Sequence, residues 1–125
     1  MTALVVLCVA AGGLVGAPSR YLLDRAVADR VESDFPLGTF LVNMSGSALL
    51  GLLAGLGVRG HLPELVGALV GTGFCGAFTT FSTWSFETVR LLEEGEVLEA
   101  AMNVVLSLGV GLAAAGAGIA LGLVL

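Results

Sequence analysis

The sequence contains no lysine and very little charge of any kind. Only 12% of the 125 residues are charged, and the five positions counted as lysine or arginine are all arginine, whereas a soluble domain carries about 25% charged residues. The chain therefore lacks the basic patch that nucleic-acid binding requires. A soluble helical bundle is also disfavoured, because 57% of the residues are hydrophobic and the mean hydropathy is +1.03.

Residues that build metal and redox centres are equally scarce. The chain has one histidine, His61, and two cysteines, Cys8 and Cys75, which lie far apart inside apolar runs. No cysteine pair has the spacing of a metal or redox motif. The apolar runs offer no Ser-His-Asp arrangement and no phosphate-binding glycine loop. These absences predict that the protein is not an enzyme.

What the sequence does contain is four long runs without charge, at 1–19, 35–58, 65–86 and 100–125. A helix needs about 20 apolar residues to cross a bilayer. We therefore predict an all-α, multi-pass protein of the cell membrane, with one integral membrane domain over 1–125. Its transmembrane helices are expected at about 2–28, 37–58, 63–92 and 98–124. The first run lacks a basic leader and continues past Pro18, so we expect a retained helix rather than a signal peptide.

Glycines recur four residues apart in every run. Small residues at this spacing allow helix backbones to approach closely in a membrane, so they predict tight packing rather than a substrate site. The pairs are Gly12 and Gly16, Gly51 and Gly55, Gly67 and Gly71, and Gly118 and Gly122.

The densest polar chemistry lies at 73–87, at the end of the third run. Lipid offers no partner for hydroxyl groups, so such a segment must be buried in protein or line a polar path. It predicts that something small and polar crosses the membrane here. The hydroxyl residues are Thr79, Thr80, Ser82, Thr83 and Ser85, and they are interleaved with Phe78, Phe81, Trp84 and Phe86.

The third helix is predicted to be broken near mid-membrane, around Gly76 to Thr80. Gly76 tolerates non-helical dihedral angles, and the paired threonines can cap a helix that restarts. A break frees carbonyl groups, which suit a small cation such as Na⁺, and N–H groups, which suit an anion. An unbroken threonine-rich helix remains the alternative.

Helices 2 and 4 also carry polar residues inside the spans. Asn43 is central in helix 2 and carries two N–H donors. Asn103 and Ser107 are four residues apart, and therefore share one face of helix 4. Either a polar path or hydrogen bonds between helices would account for them.

The arginines weakly favour an orientation with both termini outside. Arg20, Arg25, Arg30 and Arg90 lie near the first and third links, and only Arg59 lies near the second. With so few charges, both orientations in one membrane stay compatible with the positive-inside rule.

Three motifs, in order, resemble the Fluc (CrcB) family of fluoride ion channels over almost the whole chain. They are 12–17 with Arg20-Tyr21, 38–43 with Gly46, and 73–76 leading into 79–83 with Glu87-Thr88. The resemblance implies a passive channel that exports cytoplasmic fluoride and protects against its toxicity. It also implies an antiparallel dimer in the lipid bilayer, two fluoride pathways along the subunit interface, and a structural Na⁺ at the dimer centre.

By position, the resemblance implies roles for single residues. Asn43, Phe81 and Ser107 match residues of the fluoride pore, and Arg20 matches an arginine of its vestibule. The backbone carbonyls of Gly76 and Thr79 match those that hold Na⁺. Trp84 stands where the family usually has a second Phe, and Asn103 where a Tyr is common. We include both in the pore prediction, together with the hydroxyls of Ser82 and Thr83.

Two other functions fit a short four-helix membrane protein. A proton-coupled multidrug exporter needs an acidic residue deep in helix 1, but the first one is Asp24. A non-transporting assembly subunit would account for the glycines but not for the hydroxyl and aromatic segment. Pairing with an identical chain and pairing with a sister chain both stay open.

Overall fold

The computed structural model describes residues 2–125, and these are helical with no β-strand. Four helical spans are long and apolar enough to cross a membrane, as predicted: Ala3–Arg30, Leu37–Val58, Glu64–Glu93 and Val97–Val124. The all-α, multi-pass fold is thereby confirmed. We label the helices α1 (Ala3–Arg30), α2 (Leu37–Val58), α3 (64–78), α4 (Ser82–Glu93) and α5 (Val97–Val124).

The ends of these helices follow from local chemistry. The Thr2 hydroxyl accepts a hydrogen bond from the Val5 amide at 3.3 Å and caps α1. At the other end, α1 runs to Arg30, two residues beyond the expected boundary at 28, and the Arg30 side chain donates to the Ala26 carbonyl. Gly60 and Gly95 adopt φ angles of 73° and 79° after α2 and α4, a conformation that favours glycine.

Much of α3 is wound more widely than an α-helix. Residues Gly67–Cys75 form a π-helix, whose hydrogen bonds join residues five apart. Gly73 packs against Gly12, so close that a Cβ on Gly73 would lie 3.0 Å from the Gly12 Cα.

The glycine pairs of α1, α2 and α5 make the close backbone contacts that the sequence predicts. A side chain on Gly51 or Gly118 would overlap backbone atoms of the facing helix. The pair in α3 differs, because a Cβ on Gly67 or Gly71 would meet only a leucine side chain, at 3.4 and 3.5 Å, and no backbone of another helix. Two packed layers result, α1 with α3 and α2 with α5.

The outer surface is strongly apolar. Leu14 on α1 and Leu112 on α5 are 77% and 75% exposed, and large apolar side chains are exposed along all four spans. Such a surface requires a lipid environment or partner protein, because soluble monomers rarely expose contiguous apolar patches of this extent.

Candidate functional site

The site is built around an interruption of the third span. Helical structure ends at Phe78 and resumes at Ser82. Thr79 has φ −79° and ψ 157°, an extended conformation that turns the chain away from the helix axis. The position of this interruption near mid-membrane stays a prediction.

Asn43 holds the interrupted chain in place. Its Nδ2 donates to the Thr80 carbonyl at 2.9 Å, and its Oδ1 accepts from the Thr80 N–H at 2.8 Å. This pairing fixes the orientation of the carboxamide, because the peptide N–H needs an acceptor and its carbonyl needs a donor. One amide N–H of Asn43 remains for another partner.

Two carbonyl groups are left free by this arrangement. In a continuous α-helix the Gly76 carbonyl would accept from the Thr80 N–H, and the Thr79 carbonyl from the Thr83 N–H. Here the Thr80 N–H bonds to Asn43 and the Thr83 N–H bonds to the Thr80 hydroxyl at 3.2 Å. No other hydrogen bond reaches either carbonyl within residues 2–125.

A groove of about 320 Å³ runs beside the interruption. It brings together the predicted pore residues Asn43, Phe81, Trp84 and Ser107, with Thr79 of the predicted Na⁺ site. The groove is open along one side, since the Phe81 side chain is 76% exposed. Its lining residues are Asn43, Met44, Ser47, Leu50, Thr79, Thr80, Phe81, Trp84, Ser107 and Leu108.

A second cavity of about 190 Å³ adjoins the groove at Thr80, which lines both. It contains the predicted vestibule residue Arg20 and the predicted pore residue Thr83. It also contains Asp24, to which the sequence interpretation gave no role, although Asp24 follows Arg20 by one helical turn. The lining residues are Arg20, Tyr21, Asp24, Thr39, Val42, Thr80 and Thr83.

The two aromatic residues of the groove contact each other. The ring centroids of Phe81 and Trp84 are 5.3 Å apart, with planes inclined at 47°. The Trp84 indole N–H donates to the Asn103 carbonyl at 3.3 Å, which ties α4 to α5. The Phe81 ring has no such anchor and stands at the open side of the groove.

Asn103 is placed differently from the pore prediction, since it lines neither cavity and is fully buried. Its amide donates to the Thr88 hydroxyl at 2.8 Å, and that hydroxyl donates to the Trp84 carbonyl at 2.8 Å. Ser107 donates to the Asn103 Oδ1 at 3.4 Å. The geometry fits the alternative that the sequence left open, hydrogen bonding between helices.

Comparison with known proteins identifies the family. Residues 7–119 match the family described as "CrcB-like protein, Camphor Resistance (CrcB)". The chain belongs to this family. The family resemblance of the sequence motifs is thereby confirmed.

Named relatives of this CrcB-like chain are channels rather than enzymes. It is 49% identical over 113 residues to "Fluoride-specific ion channel FluC 1" of Streptomyces avermitilis, covering 90% of this chain and 91% of the relative. It is 52% identical over 120 residues to "Fluoride-specific ion channel FluC 1" of Frankia casuarinae, covering 92% and 93%. A "Fluoride-specific ion channel FluC" of a Shewanella species (strain ANA-3) is 49% identical over 102 residues, covering 82% of each chain.

The remaining predicted site residues of the CrcB-like chain lie at the edges of the site. Ser82 is exposed, lines neither cavity, and has its hydroxyl 3.4 Å from that of Thr80. Gly76 is also exposed, with no atom within 4 Å of a Cβ built on it. The Thr39 hydroxyl donates to the Glu87 carboxylate beside the second cavity. This last contact joins residues 48 positions apart, and no sequence pattern predicted it.

Proposed function

We propose that this CrcB-like chain forms a fluoride-selective passive channel through which cytoplasmic fluoride leaves the cell. The names of its relatives support this activity. The observation that carries it here is the composition of the groove, which combines hydroxyl, amide and aromatic groups with no charged residue. Fluoride is small and strongly hydrated, so a pore must replace its water with neutral donors.

The groove offers these donors at moderate strength. Asn43 has one unused N–H and Ser47 carries a hydroxyl, whereas the Ser107 hydroxyl, which also lines the groove, donates to the Asn103 side chain. The edge of an aromatic ring is electropositive, so Phe81 can meet an anion edge-on. Since none of these groups carries full charge, an ion binds well enough to enter and weakly enough to leave.

The groove also disfavours proton-coupled export. No carboxylate lines it, and α1 has none before Asp24. A scaffold subunit without transport would not account for a groove of polar groups on an apolar helix bundle. We therefore retain the passive channel alone.

The channel is proposed to be an antiparallel dimer. In one chain the groove lies open, and lipid cannot pair with the unused N–H of Asn43 or with the free Thr79 carbonyl. A second subunit that covers the groove would enclose two pathways at the interface. An identical chain in the opposite orientation and a sister chain would both serve.

A structural Na⁺ at the dimer centre is part of the proposal. The free carbonyls of Gly76 and Thr79 are oxygen ligands of the kind that a small hard cation prefers. No atom lies within 4 Å of a Cβ built on Gly76, so a partner subunit can approach the backbone at this residue. When bound, the ion would supply a fixed positive charge that holds the interrupted backbones together.

Fluoride efflux from liposomes that contain only the purified chain tests the function. A fluoride electrode should record fast efflux once a potassium ionophore dissipates the voltage, without any pH gradient. Chloride, followed with its own electrode, should leave far more slowly. Equal rates for the two anions, or flux that requires a pH gradient, would contradict the proposal.

A further inference from the structure

We infer that Asp24 limits the rate at which anions reach the groove by opposing the positive charge of Arg20. This inference rests on the proposed fluoride channel and concerns a residue with no role in it so far. Arg20 and Asp24 are the two charged residues that line the second cavity, and they lie one helical turn apart on α1.

Asp24 is exposed, and it also borders the path to the groove. Its Oδ1 lies against the backbone of Gly38 on α2, where any Cβ would overlap it. Asp24 also lines a third cavity, of about 340 Å³, together with Glu87 and Arg90. The carboxylate therefore stands where the outer cavity meets the one that leads to Thr80.

Neither charge is neutralised by a direct partner. The ion pairs among residues 2–125 are Arg25 with Asp29 and Arg90 with Glu94, both between exposed side chains. Arg20 and Asp24 thus act on the cavity as separate charges of opposite sign. Arginine attracts fluoride to the cavity, and aspartate offsets that attraction.

The size of the effect follows from Coulomb's law and screening. A unit charge that lines the same cavity changes the local concentration of a monovalent anion by about three- to tenfold at low salt. The Debye length falls from about 30 Å at 0.01 M salt to about 3 Å at 1 M, so high salt should remove most of the effect.

The experiment compares fluoride efflux from liposomes for the wild-type chain and three variants, at low fluoride and with isethionate salts to set ionic strength. At about 10 mM salt, Asp24→Asn should raise the initial rate about three- to tenfold, and at about 1 M less than twofold. Asp24→Glu keeps the charge and should match the wild type. Asp29→Asn removes a carboxylate from the same helix outside the cavities, and should also match it.

Each other outcome has a distinct meaning. Suppose that the wild type passes fluoride. If Asp24→Asn then leaves the efflux rate unchanged, or raises it equally at both salt concentrations, the inference about Asp24 is wrong while the channel proposal stands. If the wild type passes no fluoride, the channel proposal fails first. An unchanged gel-filtration profile of Asp24→Asn shows that the variant is folded, so that a lower rate would also overturn the inference.

Discussion

The side chain of Asn43 on α2 pairs with both polar groups of the Thr80 peptide, at 2.8 and 2.9 Å, across 37 positions of sequence. An amide on one helix thus replaces the helical hydrogen bonds that the third span gives up. Because it takes the Thr80 N–H, it also leaves the Gly76 carbonyl free. The residue proposed to meet fluoride is therefore also the residue that maintains the proposed Na⁺ ligands.

Replacing Asn43 should separate these two roles. In Asn43→Leu the Thr80 N–H can return to the Gly76 carbonyl, so we expect loss of both fluoride flux and stabilisation by Na⁺. Asn43→Asp keeps an acceptor for the Thr80 N–H but adds a negative charge beside the groove. It should keep much of the Na⁺ stabilisation and lose the flux.

The measurement compares the melting temperature in a Na⁺ buffer with that in an N-methylglucamine buffer. Unfolding is monitored by the fluorescence of Trp84, the single tryptophan. Sodium at 100-fold above its Kd would stabilise the wild type by about 2.7 kcal/mol. If Na⁺ raises the melting temperature of Asn43→Leu as much as that of the wild type, Asn43 does not maintain the Na⁺ site.

Thr80 offers a second test of the freed carbonyls. Its hydroxyl accepts from the Thr83 N–H at 3.2 Å, and so keeps that N–H away from the Thr79 carbonyl. Thr80→Val removes this acceptor with little change of shape, and should reduce the Na⁺-dependent rise in melting temperature. Thr80→Ser restores a hydroxyl and should recover it. Equal sodium shifts in the valine and serine variants would contradict the role of the hydroxyl.

Sequence reasoning predicted the parts of this protein that depend on local chemistry. The four spans follow from uncharged runs, and α2 and α3 begin directly after Pro36 and Pro63, which stand at their N-caps. The π-helix of Gly67–Cys75 did not follow, because no local residue pattern separates it from an α-helix of glycine and apolar residues.

Contacts between residues far apart in the sequence could not be predicted either. For both Asn43 and Asn103 the sequence left two roles open, lining a polar path or forming hydrogen bonds between helices. Only the packing of the helices distinguishes them, since Asn43 lines the groove and Asn103 lies fully buried against Thr88. The contact of Thr39 with Glu87 likewise depends on the register between α2 and α4.

Phe81 should affect flux without affecting stability. Its side chain is 76% exposed in one chain, so Phe81→Ile should change the free energy of unfolding of the monomer by no more than about 0.5 kcal/mol. Loss of the ring edge should lower fluoride efflux roughly tenfold. Phe86→Ile is the matched control, because Phe86 is 66% exposed and lines neither cavity. Similar efflux from both variants would remove Phe81 from the pathway.

Asn103 should affect the stability of the protein without affecting its anion selectivity. Asn103→Leu removes the donor to the Thr88 hydroxyl and the acceptor for Ser107, and should lower the free energy of unfolding by about 1–3 kcal/mol. The indole of Trp84 bonds to the backbone carbonyl of residue 103, which leucine retains, so the emission of Trp84 should stay close to that of the wild type. Fluoride over chloride selectivity should remain. Lost selectivity with an unchanged melting temperature would instead support the pore role that the sequence suggested.

Assembly is tested by the orientation of the chain in the membrane. A self-pairing antiparallel dimer requires both orientations, and the bias among the five arginines is small enough to allow them. The turn between α2 and α3 is a suitable probe site. His61→Cys is preferable to Gly60→Cys, because Gly60 has a φ of 73°, where a side chain is strained.

With Cys8 and Cys75 replaced by alanine, we expect a membrane-impermeant maleimide to label roughly half of the His61→Cys chains in intact cells, if the two orientations are equally populated. Permeabilisation should expose the remainder. The labelled chain should also give fluoride efflux after purification alone, since both halves of the dimer come from one sequence. Labelling from one side only, with no efflux from the purified chain, would point to a sister chain of opposite orientation as the second half of the channel.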